Sequence, residues 1–222
     1  MIRVHVICEG QTEEMFVNEV LAESFRAKGI ELYASLVGKP GHKGGNLKFE
    51  RLFNDIKSRL LGDKTAYCTT FFDYYGLPEG FPGKKEANNL TKFSDKAMYI
   101  NRILVEKLTE KLGENAVCRF IPYIQMYEFE ALLFSLPMTL ATSIDCEQDK
   151  EKFQAIRDNF NSPEEINNSP QTAPSKRIEK LCNGYDKVTA GSIAAIDIGL
   201  NKIRNECSLF NAWLSDLENL SK

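Results

Sequence analysis

Ile2-Arg3-Val4-His5-Val6-Ile7-Cys8-Glu9-Gly10-Gln11-Thr12-Glu13-Glu14 is the stretch on which the reading of this chain turns. Six apolar-rich residues suit a strand buried on both faces, as in parallel sheets. The run ends at Glu9-Gly10, and Met15, Phe16, Val20, Leu21 and Phe25 then recur at helical spacing until Gly29 stops them. Thr12 is the expected N-cap, which places Glu13 and Glu14 in the first helical turn. Glu9 is the less ordinary acid. It directly follows a buried strand, where a carboxylate is poorly solvated and needs a cation or a basic partner.

The same alternation continues. Residues 30–37 read as a second strand, emptying into a glycine- and lysine-rich loop over 38–46. Leu47, Leu52, Phe53, Ile56, Leu60 and Leu61 mark an amphipathic helix ended by Gly62. A third strand over 66–72 ends in Asp73, and residues 74–93, rich in Gly, Pro, Lys and Asn, read as a long surface loop. A helix over 95–112, a fourth strand over 117–125 and a short helix over 127–135 follow. Strands alternating with helices predict an α/β fold, with a mostly parallel four-stranded sheet, helices on both faces and right-handed crossovers.

Beyond Pro137 the strand signal vanishes. Helices are expected near 147–159, 175–183, 189–197, 200–206 and 207–219. The chain thus divides into an α/β core over 1–136 and a helical C-terminal extension over 137–222, packed on the core as one continuous domain.

The chain has 222 residues, of which 43% are hydrophobic, and a formal net charge of −3. It is no polycation, so any nucleic acid must be held by a local basic patch or with a partner's help. No apolar run approaches the ~20 residues that span a bilayer. The N-terminus has no basic lead, so a cytoplasmic protein without a signal peptide or membrane segment is expected. The six cysteines show no C-x-x-C spacing. Cys8, Cys68 and Cys118 fall in apolar stretches, and neither a disulfide nor a zinc site is expected. With only His5 and His42 present, and His5 mid-strand, the reactive groups are expected to be carboxylates and lysines.

In open α/β sheets, sites form at the carboxyl ends of strands. Glu9, the Gly/Lys loop, Asp73, and Glu128 with Glu130 all fall there, and Glu13 lies one helical turn away. Converging carboxylates suit Mg²⁺ or Mn²⁺, hard cations that take oxygen ligands and can hold both oxygens of a phosphodiester displacement. Plainer readings exist for each residue. Acids at a helix start are favoured by its dipole, and an aspartate after a strand is often a turn former. Glu128 and Glu130 cannot share one helix face. Gly41-His42-Lys43-Gly44-Gly45 lacks the P-loop pattern, so nucleotide hydrolysis is not expected.

Ile7-Cys8-Glu9-Gly10-Gln11-Thr12-Glu13 resembles the opening motif of Toprim domains, especially those of the overcoming-lysogenization-defect (OLD) type nucleases. The likeness extends to Phe72-Asp73-Tyr74-Tyr75-Gly76-Leu77-Pro78 and to Pro122-Tyr123-Ile124-Gln125-Met126-Tyr127-Glu128-Phe129-Glu130-Ala131-Leu132-Leu133-Phe134. Ser162-Pro163-Glu164-Glu165-Ile166-Asn167, Ala173-Pro174-Ser175-Lys176-Arg177 and Cys207-Ser208-Leu209-Phe210-Asn211-Ala212-Trp213-Leu214 complete it. Together they resemble the bacterial Toprim-like family of domain of unknown function 4276, over essentially the full length. Two departures stand out. Tyr75 replaces the second aspartate of Asp-x-Asp, and Tyr127 replaces a histidine.

The resemblance implies a Toprim-like fold and a metal-dependent nuclease role, often beside an ATPase (AAA or ABC type) in phage defence. In that reading Glu9 is the principal metal ligand or general base, Asp73 the second ligand, and Glu13 a ligand directly or through water. Glu128 or Glu130 serves a second metal. Lys176 or Lys187 offsets charge on the leaving oxygen, although a solvated lysine is the plainer account of either. DNA or RNA would be held by Lys39, His42, Lys43 and Lys48 on one loop and Lys84, Lys85 and Lys92 on the other. Tyr74, Tyr75 and Phe81 would offer stacking surfaces. The alternatives are a non-catalytic Toprim-fold module that binds an ATPase, nucleotide or nucleic acid, and a small phosphoester enzyme on the same scaffold.

Overall fold

In the computed structural model, residues 1–38, 48–167 and 170–222 are described. The strands are β1 (Ile2–Cys8), β2 (Ile30–Leu36), β3 (Tyr67–Asp73), β4 (Phe120–Ile121) and β5 (Ile124–Gln125). All pairings are parallel, in the order β2-β1-β3-β4, with β5 also pairing with β3. The helices are α1 (Gln11–Phe16), α2 (Ala22–Arg26), α3 (Phe49–Gly62), α4 (Lys84–Asn88), α5 (Phe93–Leu112), α6 (Glu114–Val117) and α7 (Glu130–Leu133). The C-terminal part adds α8 (Pro137–Ser143), α9 (Lys150–Asp158), α10 (Pro174–Leu181), α11 (Thr189–Ile198), α12 (Leu200–Glu206) and α13 (Ser208–Glu218). A mostly parallel sheet flanked by helices, with a helical C-terminal region, is the architecture that the alternation predicted.

The central strands are apolar because both faces are covered. Val4, Val6 and Cys8 of β1 join one core with Phe16, Leu21 and Phe25 and with Phe210, Trp213 and Leu214 of α13. Ile7, Cys68 and Phe72 join the other, with Leu52 and Ile56 of α3 and Ile100 and Leu104 of α5. Period-2 alternation sends successive strand residues to opposite cores.

Several sequence expectations need correction. The expected strand over 117–125 is α6 followed by two short strands. Pro122 has no N–H for the ladder and divides them. Thr70 bridges the gap: its hydroxyl donates to the Tyr123 carbonyl at 2.9 Å and accepts from the Tyr123 N–H at 3.1 Å. The expected helix over 127–135 shrinks to α7, preceded by a cis peptide between Met126 and Tyr127. The first helix starts at Gln11 with Gly10 as its N-cap, so Thr12 is inside it, and a π-helical turn at Val17–Leu21 separates α1 from α2. The segment 74–93 is no surface loop. It contains α4, and Tyr74, Leu77, Phe81 and Ala87 are buried. Cys146 and Cys182 are disulfide-bonded, and Cys118 is exposed at the end of α6. Neither was legible in cysteine spacing, since tertiary structure alone brings residues 36 apart together. Among the described residues, no helix is long and apolar enough to cross a membrane.

Candidate active site

Parallel pairing of β1 with β3 aligns Cys8 with Phe71, so Glu9 and Asp73 leave adjacent central strands at the same end. The Asp73 N–H donates to Glu9 Oε2 at 3.0 Å, which fixes the Glu9 carboxylate over the end of β3. Glu13, at the third position of α1, turns back to accept from the Gly10 N–H at 2.8 Å. This capping-box contact satisfies a helix-end donor, and it also draws the carboxylate inward, leaving Glu13 buried. Glu13 is thus both a helix-capping acid and a member of the acidic cluster.

Glu130 opens α7, with 1% of its surface exposed, and Lys187 Nζ lies 2.9 Å from its Oε1. Lys187 comes from the segment between α10 and α11. Glu9, Glu13, Asp73, Glu130 and Lys187, with Gly10, Thr12 and Phe129, line a cleft of about 160 Å³. Glu128 is not on its wall. Its carboxylate accepts the Ser175 N–H at 2.9 Å, in the first turn of α10, where the helix dipole favours an anion. Two residues apart, Glu128 and Glu130 take separate partners.

Crowding of carboxylates out of water raises their pKa values. Burial pushes Glu13 up to about 7, helped by the negative charge of Glu9. Burial also raises Asp73 well above its usual range, with Glu13, Glu9 and Glu130 adding to it. Glu9 and Glu130 are raised by burial too, and Lys187 offsets part of each shift. Burial disfavours the Lys187 ammonium, yet Glu130 and Glu128 outweigh it and hold the lysine charged. Asp73 Oδ1 and Glu130 Oε2 are sealed from solvent with no hydrogen-bond partner. Orphaned buried oxygens are costly, and a hard cation with oxygen ligands would satisfy them. Among the described residues, no three acidic, histidine or cysteine side chains already form a cation cage. The donor chemistry fits Mg²⁺ or Mn²⁺, and the side chains would have to close around the ion.

The remaining expected site residues divide. Lys176 is exposed and paired with Glu179 at 2.6 Å, outside the cleft. Lys84 is buried, donating to the Tyr74 carbonyl with its Nζ 3.2 Å from the Tyr74 ring centroid, so it is unavailable to nucleic acid. Tyr74 and Phe81, both buried, offer no free stacking face. Lys48, Lys85 and Lys92 are exposed. Lys39, His42 and Lys43 lie outside the described residues.

Gly76 escaped the sequence reading. A Cβ on it would stand 2.1 Å from Glu9 Oε1, so the absent side chain is the space that the Glu9 carboxyl fills. Tyr75, at the position of the missing second aspartate, hydrogen-bonds to Asn167. Its ring also packs 5.4 Å from that of Tyr127. Other motif residues support the site from behind. Glu164 is fully buried and accepts the Leu209 and Phe210 N–H groups at 2.9 and 3.0 Å, capping α13. Trp213 then reaches Thr69 of β3 at 2.8 Å and stacks on Tyr123 at 4.3 Å.

The profile of the family described as Domain of unknown function (DUF4276) matches residues 8–218. The chain belongs to the DUF4276 family. The match takes in both ends of the cleft, from Cys8 before Glu9 to the helices behind Lys187. Among solved structures, the C-terminal region of the Burkholderia pseudomallei OLD protein superposes with a TM-score of 0.50 at 15% identity, covering 99% of this chain and 98% of that one. That likeness concerns the fold, and it agrees with the Toprim-like architecture expected for a DUF4276 chain. No curated protein matches.

Proposed function

We propose that this DUF4276 chain is a metal-dependent phosphodiesterase of the Toprim/OLD type, cutting DNA or RNA with Mg²⁺ or Mn²⁺. The observation that carries the reading is Asp73 Oδ1, sealed and unpartnered, in a cleft lined by three further carboxylates: Glu9 after β1, Glu13 in α1 and Glu130 at the start of α7. Glu9, Asp73, Glu13 and Glu130 would hold the cation, with Glu128 reorienting from the start of α10 to assist. When bound, the cation would polarise the phosphoryl oxygens and lower the pKa of an attacking water. Gly76 and the Asp73 N–H orient Glu9, and the Gly10 N–H orients Glu13. Lys187 balances charge at Glu130 and would meet negative charge on a leaving oxygen. A phage-defence role beside an ATPase, in the cytoplasm, is the setting that the family resemblance suggests.

A second reading rests on Lys187 itself. An ammonium paired with Glu130 already supplies one positive charge to the cleft, as a non-catalytic Toprim-fold binding module would need. Tyr75 in place of an aspartate favours the same reading. Cleavage of plasmid and single-stranded DNA with Mn²⁺ or Mg²⁺, wild type against Glu9→Ala, separates the two. The nuclease reading expects cation-dependent cleavage that falls at least about a hundredfold in Glu9→Ala. Equal cleavage by both proteins overturns the assignment of Glu9. Absence of cleavage, together with no cation-induced rise in melting temperature, favours the binding module.

A further inference from the structure

A second cavity, of about 380 Å³, is lined by Tyr127, two residues before Phe129 of the acidic cleft. Its lining includes Lys92, Phe93, Ser94, Tyr127, Glu165 and Asn167. Tyr127 of that lining is packed among other tyrosines. Tyr75 and Tyr127 stand 5.4 Å apart with rings tilted by 36°, and Tyr74 meets Tyr127 edge-on at 5.4 Å. Asn167 accepts from the Tyr75 hydroxyl and also bonds Tyr127, so one amide ties both rings. The backbone closes the unit, because the Tyr75 N–H donates to the Tyr127 carbonyl at 3.1 Å.

This wall belongs to the chain segments that build the cleft. Asp73 and Tyr75 are two residues apart, as are Tyr127 and Phe129, and Gly76 touches Glu9. Two residues span at most about 7 Å of chain, so the cavity begins within a nucleotide's reach of the acids. The polar groups are mixed in kind: the Asn167 amide, the hydroxyls of Thr91 and Ser94, and a carboxylate, Glu165, one of whose oxygens is held by the Asn161 N–H at 3.0 Å. A carboxylate in the wall repels phosphate, whereas amide, hydroxyl and carboxylate together match the donors and acceptors on a nucleobase edge. Lys92 is exposed at the rim, where a neighbouring phosphate would pass. The volume is at the small end of ligand pockets. It is ample for a nucleobase.

We propose that this cavity is a subsite for one unpaired nucleobase next to the phosphate held in the acidic cleft, so that the chain takes single-stranded or locally opened nucleic acid. The proposal rests on the phosphodiesterase reading for its placement, but base binding itself requires no cation. A duplex would have to extrude a base to use the pocket. Aromatic and polar contact to one base makes a large part of the affinity for a short strand.

The test is fluorescence anisotropy in EDTA with the full chain, using a labelled single-stranded oligonucleotide, the same sequence as a blunt duplex, and a free mononucleotide as competitor. Wild type is expected to bind the single strand at least about tenfold more tightly than the duplex. Asn167→Ala and the exposed-site variant Lys92→Glu are each expected to weaken single-strand binding about tenfold, and circular dichroism checks that both fold. Equal binding of strand and duplex, no binding of either, or unchanged strand binding in both variants overturns the proposal. A mononucleotide that competes as strongly as the oligonucleotide also overturns it, in favour of a free nucleotide ligand. Cleavage assays with Mn²⁺ on the same samples keep the two readings apart. A strand preference without cleavage and without a cation-induced rise in melting temperature sinks the phosphodiesterase and leaves the subsite, and cleavage without strand preference does the reverse.

Discussion

Gly76 and Glu9 show how much of this site is decided by single contacts. Glu9 is held by one N–H, from Asp73, and by the hollow that Gly76 leaves for its carboxyl group. A methyl group at 76 would overlap both Glu9 oxygens, at 2.1 and 2.3 Å, and the flexible carboxylate would swing off the end of β3. Gly76→Ala is therefore expected to keep the fold, since the collision is with a movable side chain, while cutting cation-dependent cleavage about a hundredfold, the scale of loss for a misplacement of about 1 Å. The accompanying measurement is the melting-temperature rise on adding Mn²⁺, which should shrink in the variant. An unchanged rise with unchanged cleavage would show that Glu9 does not need its present position. Glu9 and Asp73 were legible in the sequence, because an acid that ends an apolar strand is costly to leave without a partner. Gly76 was not, because the contact that requires it joins two different strand ends. Lys84 failed for a related reason: a lysine in a polar-looking segment reads as solvated, and only the fold reveals the Tyr74 ring covering it.

At the scale of elements, the strand-to-helix junctions place the acids and the helix starts hold them. α1 and α10 begin beside Glu13 and Glu128, and α13 begins on Glu164. Each carboxylate meets unpaired N–H groups that a helix leaves at its first turn. Glu164 is not among the cleft-lining residues, so it reports on the fold alone. Burial raises its pKa to about 7, while the Leu209 and Phe210 N–H groups pull the other way. With a folded pKa above the unfolded one, its contribution to stability is fully present below the ordinary glutamate pKa. That contribution is lost as pH rises through about 7. Urea unfolding from pH 4.5 to 8 should thus show wild type losing stability relative to Glu164→Gln, by roughly 3 kcal/mol at most. Parallel pH curves for the two proteins would mean that the carboxyl is not raised. The element scale is also where the sequence reading did best and then broke. Hydrophobic periodicity located β1, β2, β3, α3 and α5. It merged β4 with β5, since a proline within an apolar run leaves the pattern intact while removing the hydrogen bond. It also dissolved α4 into a loop, because a five-residue helix has too few turns for a period to show.

For the whole molecule, the question is whether the α/β half can do anything without the helical half. Phe210, Trp213 and Leu214 of α13 pack in the same core as Val4, Val6 and Cys8 of β1, while Phe71 and Tyr123 lie against Trp213 at 5.2 and 4.3 Å. Lys187, the cation that pairs with Glu130, also comes from the C-terminal part. Removing residues 137–222 would strip one face of the central strands and take the Lys187 counter-charge from Glu130. Each buried aromatic lost from that face removes a few kcal/mol, comparable with the net stability of a domain. A chain cut after residue 136 is therefore expected to bind a hydrophobic dye, to unfold without a cooperative transition and to show no melting-temperature response to Mn²⁺. The opposite result, cooperative unfolding with the Mn²⁺ response retained, would mean that the sheet and its acids form a self-sufficient unit. In that case Lys187 would be an accessory to the site and not part of its charge balance. The intact chain carries the expected contrast, because the helix that completes the core and the lysine that completes the cleft belong to one continuous stretch.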